Sequence, residues 1–151
     1  MPNTTAICTS FKTEVLSGIH AIGTSVIRAA TTKDALKAAL YLASATVNAA
    51  STAYSATGEV TGTNYTAGGV NVTNATEPAN SGTTAFWTPS ASLAWTNVTL
   101  ATAFDAVLLY NSTQASRAIS AHTFGAQIVT AGNFTLTMLT NDASTGLVRF
   151  A

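Results

Sequence analysis

Beyond residue 50 the sequence is a succession of short segments in which apolar and polar residues alternate, separated by glycines and other turn residues. Residues 134–139 form the clearest of these segments, since Phe, Leu and Met alternate there with Thr, Thr and Leu. A period of two is typical of a strand with one buried face. Several short strands with turn residues between them predict a mainly β fold, an antiparallel β-sandwich or jelly-roll-like domain.

We predict about eight short strands. The segment 103–110 has the apolar content of a central strand buried on both faces. The apolar positions of 92–100 change parity after Trp95, which predicts either a β-bulge or two abutting faces. Residues 36–42 are rich in helix formers, but their apolar positions also alternate, so propensity and periodicity disagree there. The predicted strands are 36–42, 69–74, 83–88, 92–100, 103–110, 117–124, 134–139 and 147–150.

The N-terminal part contains the one convincing helical pattern. Apolar residues recur at spacings of four, four and three from Phe11 to Ile22, as on the buried face of a short helix. We therefore predict an N-terminal arm over residues 1–10 and a short amphipathic helix over about 10–22. Because no linker or repeat divides the chain, residues 11–151 are expected to form a single domain with one core.

The chain carries few charges. Of 151 residues only 12 are ionic, six Lys or Arg and six Asp or Glu, which leaves no net charge. A soluble domain is typically about one-quarter charged, so this composition favours association with neighbours over an isolated monomer. Without a basic patch, we expect the protein to bind neither nucleic acid nor a membrane surface.

The N-terminal residues and the single cysteine bear on where the protein is made and on which cysteine sites it can form. No basic residue precedes an apolar run near Met1, so no secretory signal is predicted and synthesis in a cytoplasm is expected. Cys8 is the only cysteine, which excludes a disulfide within the chain and a zinc site made of several cysteines. No window approaches the about 20 apolar residues that cross a bilayer.

No residue pattern predicts catalysis. Acid–base chemistry needs two groups that converge in a pocket, and the acids here are well separated in sequence. His122 with Asp105 and one of many serines would make a nucleophilic triad, but so common a combination is not specific. His20 and His122 with scattered acids fall short of a metal site. We therefore predict a protein that is not an enzyme and has no catalytic, cofactor-binding or metal-binding residues. The six acids are Glu14, Asp34, Glu59, Glu77, Asp105 and Asp142.

Two further patterns bear on ligand binding. The run Thr66-Ala67-Gly68-Gly69 lacks the lysine and the following helix of a phosphate-binding loop, so a hairpin or strand entry is expected there. Trp87 and Trp95 fall at alternating positions of predicted strands. We expect both rings to fill the core rather than to form a platform for a sugar.

A set of segments follows a defined order along the chain. The segments are 11–20 (FKTEVLSGIH), 36–41 (LKAALY), 52–69 (TAYSATGEVTGTNYTAGG), 95–97 (WTN), 106–112 (AVLLYNS) and 140–144 (TNDAS). In this order the chain resembles a family of small virion structural proteins encoded by tailed bacteriophages. The likeness runs from about residue 11 to the end and involves no catalytic motif.

The resemblance implies a β-sandwich subunit of the virion with an N-terminal helix and no enzymatic site. It also implies that residues 36–42 form a strand, and residues 23–33 are longer than the usual link between helix and first strand. Capsid decoration is the first expectation: a cement subunit, often trimeric, that binds the major capsid protein and copies of itself. A tail or head–tail component is the alternative. The expected location is the virion, after synthesis in the bacterial cytoplasm.

Two parts of the chain are expected to make particle contacts, namely the N-terminal arm and the glycine-rich loop 55–69. We expect the fold to survive removal of residues 1–9. A hypothesis of another class is a host-attachment or carbohydrate-binding module that uses exposed rings of Tyr54, Tyr65 or Trp87.

Overall fold

The computed structural model describes residues 3–8, 10–11, 15, 19–24, 33–82 and 84–150. Within them the chain forms eight β-strands, all paired antiparallel. The predicted mainly β fold of about eight antiparallel strands is therefore confirmed. The strands are β1 (Ala6–Ile7), β2 (Leu36–Leu42), β3 (Val70–Asn71), β4 (Ala79–Ser81), β5 (Thr84–Trp87), β6 (Leu93–Asn111), β7 (Arg117–Leu136) and β8 (Val148–Phe150).

Most of the predicted helix over residues 10–22 lies outside the described residues. Ser10, Phe11 and Val15 have helical backbone, but residues 19–22 do not, so the predicted end of the helix is wrong. Ala21 is held by a distant residue instead of by helical hydrogen bonds. Its N–H donates to the Asp34 carboxylate at 3.0 Å, and its carbonyl oxygen accepts from the Asp34 N–H at 3.1 Å.

Two sheets share one hydrophobic core. The larger has the strand order β1-β7-β6-β2-β3 and the smaller the order β4-β5-β8. Trp87 of β5 and Val148 of β8 belong to the same buried cluster as Leu40, Phe104 and Leu108 of the larger sheet. Burial of the apolar side chains of both sheets in one layer is what makes the fold sandwich-like.

Four of the predicted strands are halves of two long ones. Residues 93–100 and 103–110 fall in the 19-residue β6, and residues 117–124 and 134–136 fall in the 20-residue β7. The predicted breaks are wrong because the two strands continue to pair through register shifts, and bulges absorb the irregular residues. The bulge expected after Trp95 is confirmed, since the register shifts before Val98.

The disputed segment 36–42 is a strand, β2, with the predicted bounds. It pairs with residues 104–111 of β6 on one side and with β3 on the other, so it is an interior strand of the larger sheet. The expectation that only one face of this strand is buried is wrong, because Ala39 and Tyr41, on the other face, are buried as fully as Leu40. Burial on both faces explains why tertiary contacts outweigh the helix propensity of these residues.

Candidate functional site

The long connection from β2 to β3 folds back along the sheet. The Leu42 N–H donates to the Gly58 carbonyl oxygen at 2.9 Å, and the Val60 N–H donates to the Leu40 carbonyl oxygen at 3.0 Å. Farther along, Thr63 and Thr99 of β6 exchange two backbone hydrogen bonds of 3.1 Å. The connection therefore covers part of the sheet edge that the two-residue β3 leaves open.

Glu59 lies at the centre of this connection and is only 7% exposed. Its Oε1 accepts hydrogen bonds from the Tyr65 hydroxyl and the Gly68 N–H, both at 2.8 Å. Its Oε2 accepts from the Tyr54 hydroxyl at 2.6 Å. A carboxylate tolerates burial when donors surround it. Three donors from three points of the connection therefore fix its path.

Tyrosines surround this carboxylate and link it to the sheet. The ring of Tyr54 stacks on Tyr110 of β6 with centroids 4.9 Å apart, and the Tyr110 hydroxyl donates to the Gly68 carbonyl oxygen at 2.7 Å. Burial raises the pKa of Tyr41 to about 12. Burial, together with the hydrogen bond to Glu59, raises the pKa of Tyr54 and Tyr65 well above the usual value. These hydroxyls therefore remain protonated donors at neutral pH.

Two glycines allow the connection to approach the sheet closely. A Cβ on Gly69 would lie 1.8 Å from the Ala38 carbonyl oxygen, and φ of Gly69 is 73°, in the left-handed region. A Cβ on Gly62 would lie 2.0 Å from the Thr99 carbonyl oxygen. Glycine at both positions is therefore a steric requirement.

The side of the connection that faces solvent is neutral. Its exposed residues 55–57, 61–64 and 66–67, called the loop rim below, are serine, threonine, alanine, glycine and asparagine. Such residues can exchange hydrogen bonds with another molecule but supply neither acid nor base nor activated nucleophile. The loop rim lies within the loop 55–69, where particle contacts are expected from the sequence.

The structure does not assemble the hypothetical catalytic triad. His122 Nε2 shares a 2.9 Å hydrogen bond with Ser120 Oγ, whereas Asp105 Oδ1 accepts from Asn3 Nδ2 at 2.6 Å. A triad needs the carboxylate on the imidazole. Cys8 is buried, with its Sγ 3.8 Å from the Asn48 carbonyl oxygen. Within the described ranges no three His, Cys, Asp or Glu side chains are grouped to hold a metal ion.

His122 instead borders an apolar cavity of about 150 Å³ that is lined by residues of β6 and β7 and by Thr137, Met138 and Leu147. The cavity wall is made largely of aliphatic and aromatic side chains, among them Leu93, Val107 and Phe124. Burial lowers the pKa of His122 to about 4. The imidazole is therefore neutral at pH 7 and cannot serve as a cationic binding group there.

This burial predicts acid sensitivity. Between pH 6.5 and about 4 the unfolded chain binds a proton at His122 that the folded chain does not. Stability from this residue is therefore complete above pH 6.5 and is lost as the pH falls, by up to about 3 kcal/mol. Urea unfolding of the wild type and of His122→Gln across this range measures the difference. Equal pH slopes for the two proteins would contradict the prediction.

The aromatic residues considered for sugar binding are tied into the fold. Trp87 is buried and its indole N–H donates to the Thr76 carbonyl oxygen at 3.1 Å. Trp95 is buried as well, so the prediction that both tryptophans fill the core is confirmed. Tyr54 and Tyr65 are half-buried, and both hydroxyls donate to Glu59.

Residues 3–8 of the predicted N-terminal arm pack against the domain. Asn3 Nδ2 donates to the Leu42 carbonyl oxygen at 3.1 Å, and Asn3 Oδ1 accepts from the Val47 N–H at 2.8 Å. The Cys8 N–H donates to the Ile119 carbonyl oxygen at 3.0 Å. Removal of residues 1–9 takes away these contacts, so we now expect it to weaken the fold.

Sequence reasoning missed two buried polar clusters. One is the Glu59 cluster, whose only signal was a lone acid in a loop rich in tyrosine and glycine. In the other, fully buried Asn111 donates to Asp34 Oδ2 at 2.7 Å and lies 3.0 Å from His20 Nδ1. Its only signal was an asparagine at the end of an apolar strand.

Within the described part of the chain no helix is both long enough and apolar enough to cross a membrane. Comparisons of the chain with protein-family models, with curated proteins and with solved structures gave no match. What the protein does is therefore inferred from its surface and from the order of its segments.

Proposed function

We propose that the protein is a non-enzymatic structural subunit of a tailed-bacteriophage virion, a cement subunit that decorates the capsid shell and stabilises it. In this role it binds the major capsid protein and copies of itself. The proposal is supported by the resemblance in segment order and by the chemistry of the surface.

The observation that carries the proposal is the neutral surface. Between residues 78 and 141 only Asp105 and Arg117 are charged. Outside this stretch, Glu59 is buried among its donors, whereas Lys33, Glu77 and Arg149 are exposed. When a neighbour covers a surface of threonine, serine and alanine, few charged groups lose their water. The desolvation free energy of such a contact is therefore small.

A subunit on a shell can make the same kind of contact with several shell proteins, and the number of these contacts determines its affinity for the shell. Association costs about 4–15 kcal/mol in lost freedom of motion, against about 25 cal/mol gained per Å² of apolar surface buried. One small contact therefore holds a subunit weakly. A subunit that touches several shell proteins at once gains from each further contact without the same loss.

The test is binding of the purified protein to shells that were assembled without it. We expect the wild type to bind and to raise the temperature at which the shells open. The variant Thr57→Lys with Thr66→Lys places two charges on the loop rim and should bind at least tenfold more weakly. The matched control, Thr96→Lys with Thr102→Lys, adds the same charge at exposed positions of β6 and should bind as the wild type does.

The experiment tests two claims separately: that the protein is a cement subunit, and that the loop rim is the surface that contacts the shell. If the wild type ignores the shells, or if imaging of the particle places the chain on the tail, the cement role is contradicted. If the wild type binds and both variants bind equally well, the role stands and the loop rim is not the contact.

A further inference from the structure

The apolar cavity beside His122 has a buried floor and a wall that is partly open to water. The floor is at most 4% exposed and consists of Leu93, Val107 and Leu109. The wall is only half-buried and consists of Phe124, Leu136, Met138 and Leu147. The remaining lining residues besides His122 are the exposed Thr123 and Thr137. The cavity is therefore accessible from solvent, and no described residue fills it.

The volume and the lining of this cavity fit one small apolar group. Seven of its ten lining residues are apolar. Protein interiors contain few voids larger than a water molecule, and an apolar cavity of about 150 Å³ stays dry and can bind benzene. A ring of that size would cover the half-buried wall and remove its apolar surface from water, which is favourable.

A larger and more polar pocket, called the outer pocket below, adjoins the apolar cavity. Its volume is about 590 Å³, and His122 and Leu147 line both spaces. Three threonines and Arg149 supply polar groups to the outer pocket. Arg149 is the one charged residue in its lining, and no acid lines either space. A molecule with an apolar end in the cavity would therefore place its other end in a polar, cationic pocket.

Arg149 is held in place and keeps donors available for an anion. Its Nη1 donates to the carbonyl oxygens of Ala143 and Ser144, which tie the guanidinium to the loop before β8. Its Nε and Nη2 make no hydrogen bond to a described residue, so three N–H groups remain. The nearby Asp142 does not pair with Arg149, because its Oδ1 accepts from the N–H groups of Ser144 and Thr145.

We propose that the apolar cavity and the outer pocket together bind a small amphiphilic carboxylate, with an apolar group about the size of a benzene ring in the cavity and the carboxylate on Arg149. Sites for small molecules are concave and mostly apolar, with a few polar groups that fix orientation. The planar guanidinium matches the geometry of a carboxylate. The site goes beyond the proposed function, because a subunit of a shell does not require a small ligand.

Methyl NMR on the full-length chain tests the site directly. The chain has two methionines, Met1 and Met138, and Met138 lines the cavity, so one labelled methyl signal reports on it and Met138→Leu assigns that signal. The probe is 3-phenylpropionate, with 3-phenylpropanol as its neutral counterpart. We expect 3-phenylpropionate to shift the Met138 signal saturably, with a dissociation constant of roughly 0.1–1 mM for a ligand of this size. The alcohol should bind at least threefold more weakly.

Two variants test the two halves of the site. Leu136→Trp enlarges a side chain of the cavity wall and should weaken binding of both probes at least tenfold. Its matched control, Ile128→Trp, adds the same group at a 62% exposed position of β7 outside both linings and should bind as the wild type does. Arg149→Gln should lower the affinity for the carboxylate to that for the alcohol and leave binding of the alcohol unchanged.

Three results overturn the proposal. The first is a wild type whose Met138 signal does not move with roughly 10 mM 3-phenylpropionate, well above the expected dissociation constant. The second is a Leu136→Trp protein with native circular dichroism that binds as the wild type does. The third is an Arg149→Gln protein that keeps the wild-type preference for the carboxylate; this exposed position tests the site even if Leu136→Trp does not fold. Shell binding judges the virion role separately, so either proposal can fail alone.

Discussion

Replacing Gly69 by alanine is expected to destabilise the fold by at least about 4 kcal/mol, a large part of the about 5–15 kcal/mol that stabilises a domain. Two effects add. The backbone at Gly69 has φ of 73°, which costs a residue with a Cβ about 1–2 kcal/mol. The added Cβ would also stand 1.8 Å from the Ala38 carbonyl oxygen, a backbone atom of central strand β2 that has little freedom to move.

Gly82 separates these two effects. Its φ of 57° is also left-handed, but a Cβ there meets nothing within 4 Å. Gly82→Ala should therefore cost only the conformational part, about 1–2 kcal/mol. Urea unfolding followed by the fluorescence of the buried Trp87 and Trp95 measures both variants. If Gly69→Ala costs no more than Gly82→Ala, the connection does not approach β2 as closely as described.

Replacing Glu59 by alanine is expected to cost about 3 kcal/mol, since a buried donor without an acceptor costs about 1–3 kcal/mol. Three donors lose their acceptor, namely the hydroxyls of Tyr54 and Tyr65 and the N–H of Gly68. The two tyrosines are half-buried, so water can compensate part of the loss. Amide hydrogen exchange of residues 53–69 should rise with the loss of stability.

The matched variant is Glu59→Gln, which keeps the shape. Its carbonyl oxygen can take over the bonds to Tyr65 and Gly68, while its amide can donate to the Tyr54 oxygen. We expect a cost of about 1 kcal/mol, that of exchanging charged for neutral hydrogen bonds. Equal losses for the alanine and glutamine variants would contradict the assignment of Glu59 as the acceptor of three hydrogen bonds.

The sequence predicts strands best where the apolar period is regular. Residues 36–42 are a strand with the predicted bounds, although their composition favours a helix. The breaks at 101–102 and 125–133 were wrong, because glycine and small residues within a long hairpin resemble a turn locally. Pairing with the partner strand keeps these residues extended, and the partner is not visible in a local window.

The candidate site was predicted only in outline. The glycines of the loop 55–69 predict its position, but in the sequence Glu59 is only one of six well-separated acids. Its partners Tyr54, Tyr65 and Gly68 are five to nine residues away in a segment without regular structure. No periodicity indicates which of their atoms meet, so the burial of this carboxylate follows from the path of the chain and not from its composition.

The sequence by itself determined a neutral, mainly β domain, since alternation and charge content are local properties that any fold of the chain must satisfy. Only the tertiary structure decided which surfaces are left open. The pairing of β1 with β7 ends at Ala121, and the connection from β2 to β3 pairs with β6 at Thr99, on the side away from β7. Beyond Ala121, no described strand lies beside β7 on the side away from β6. Whether an edge is covered depends on contacts between distant segments, which the order of residues alone does not reveal.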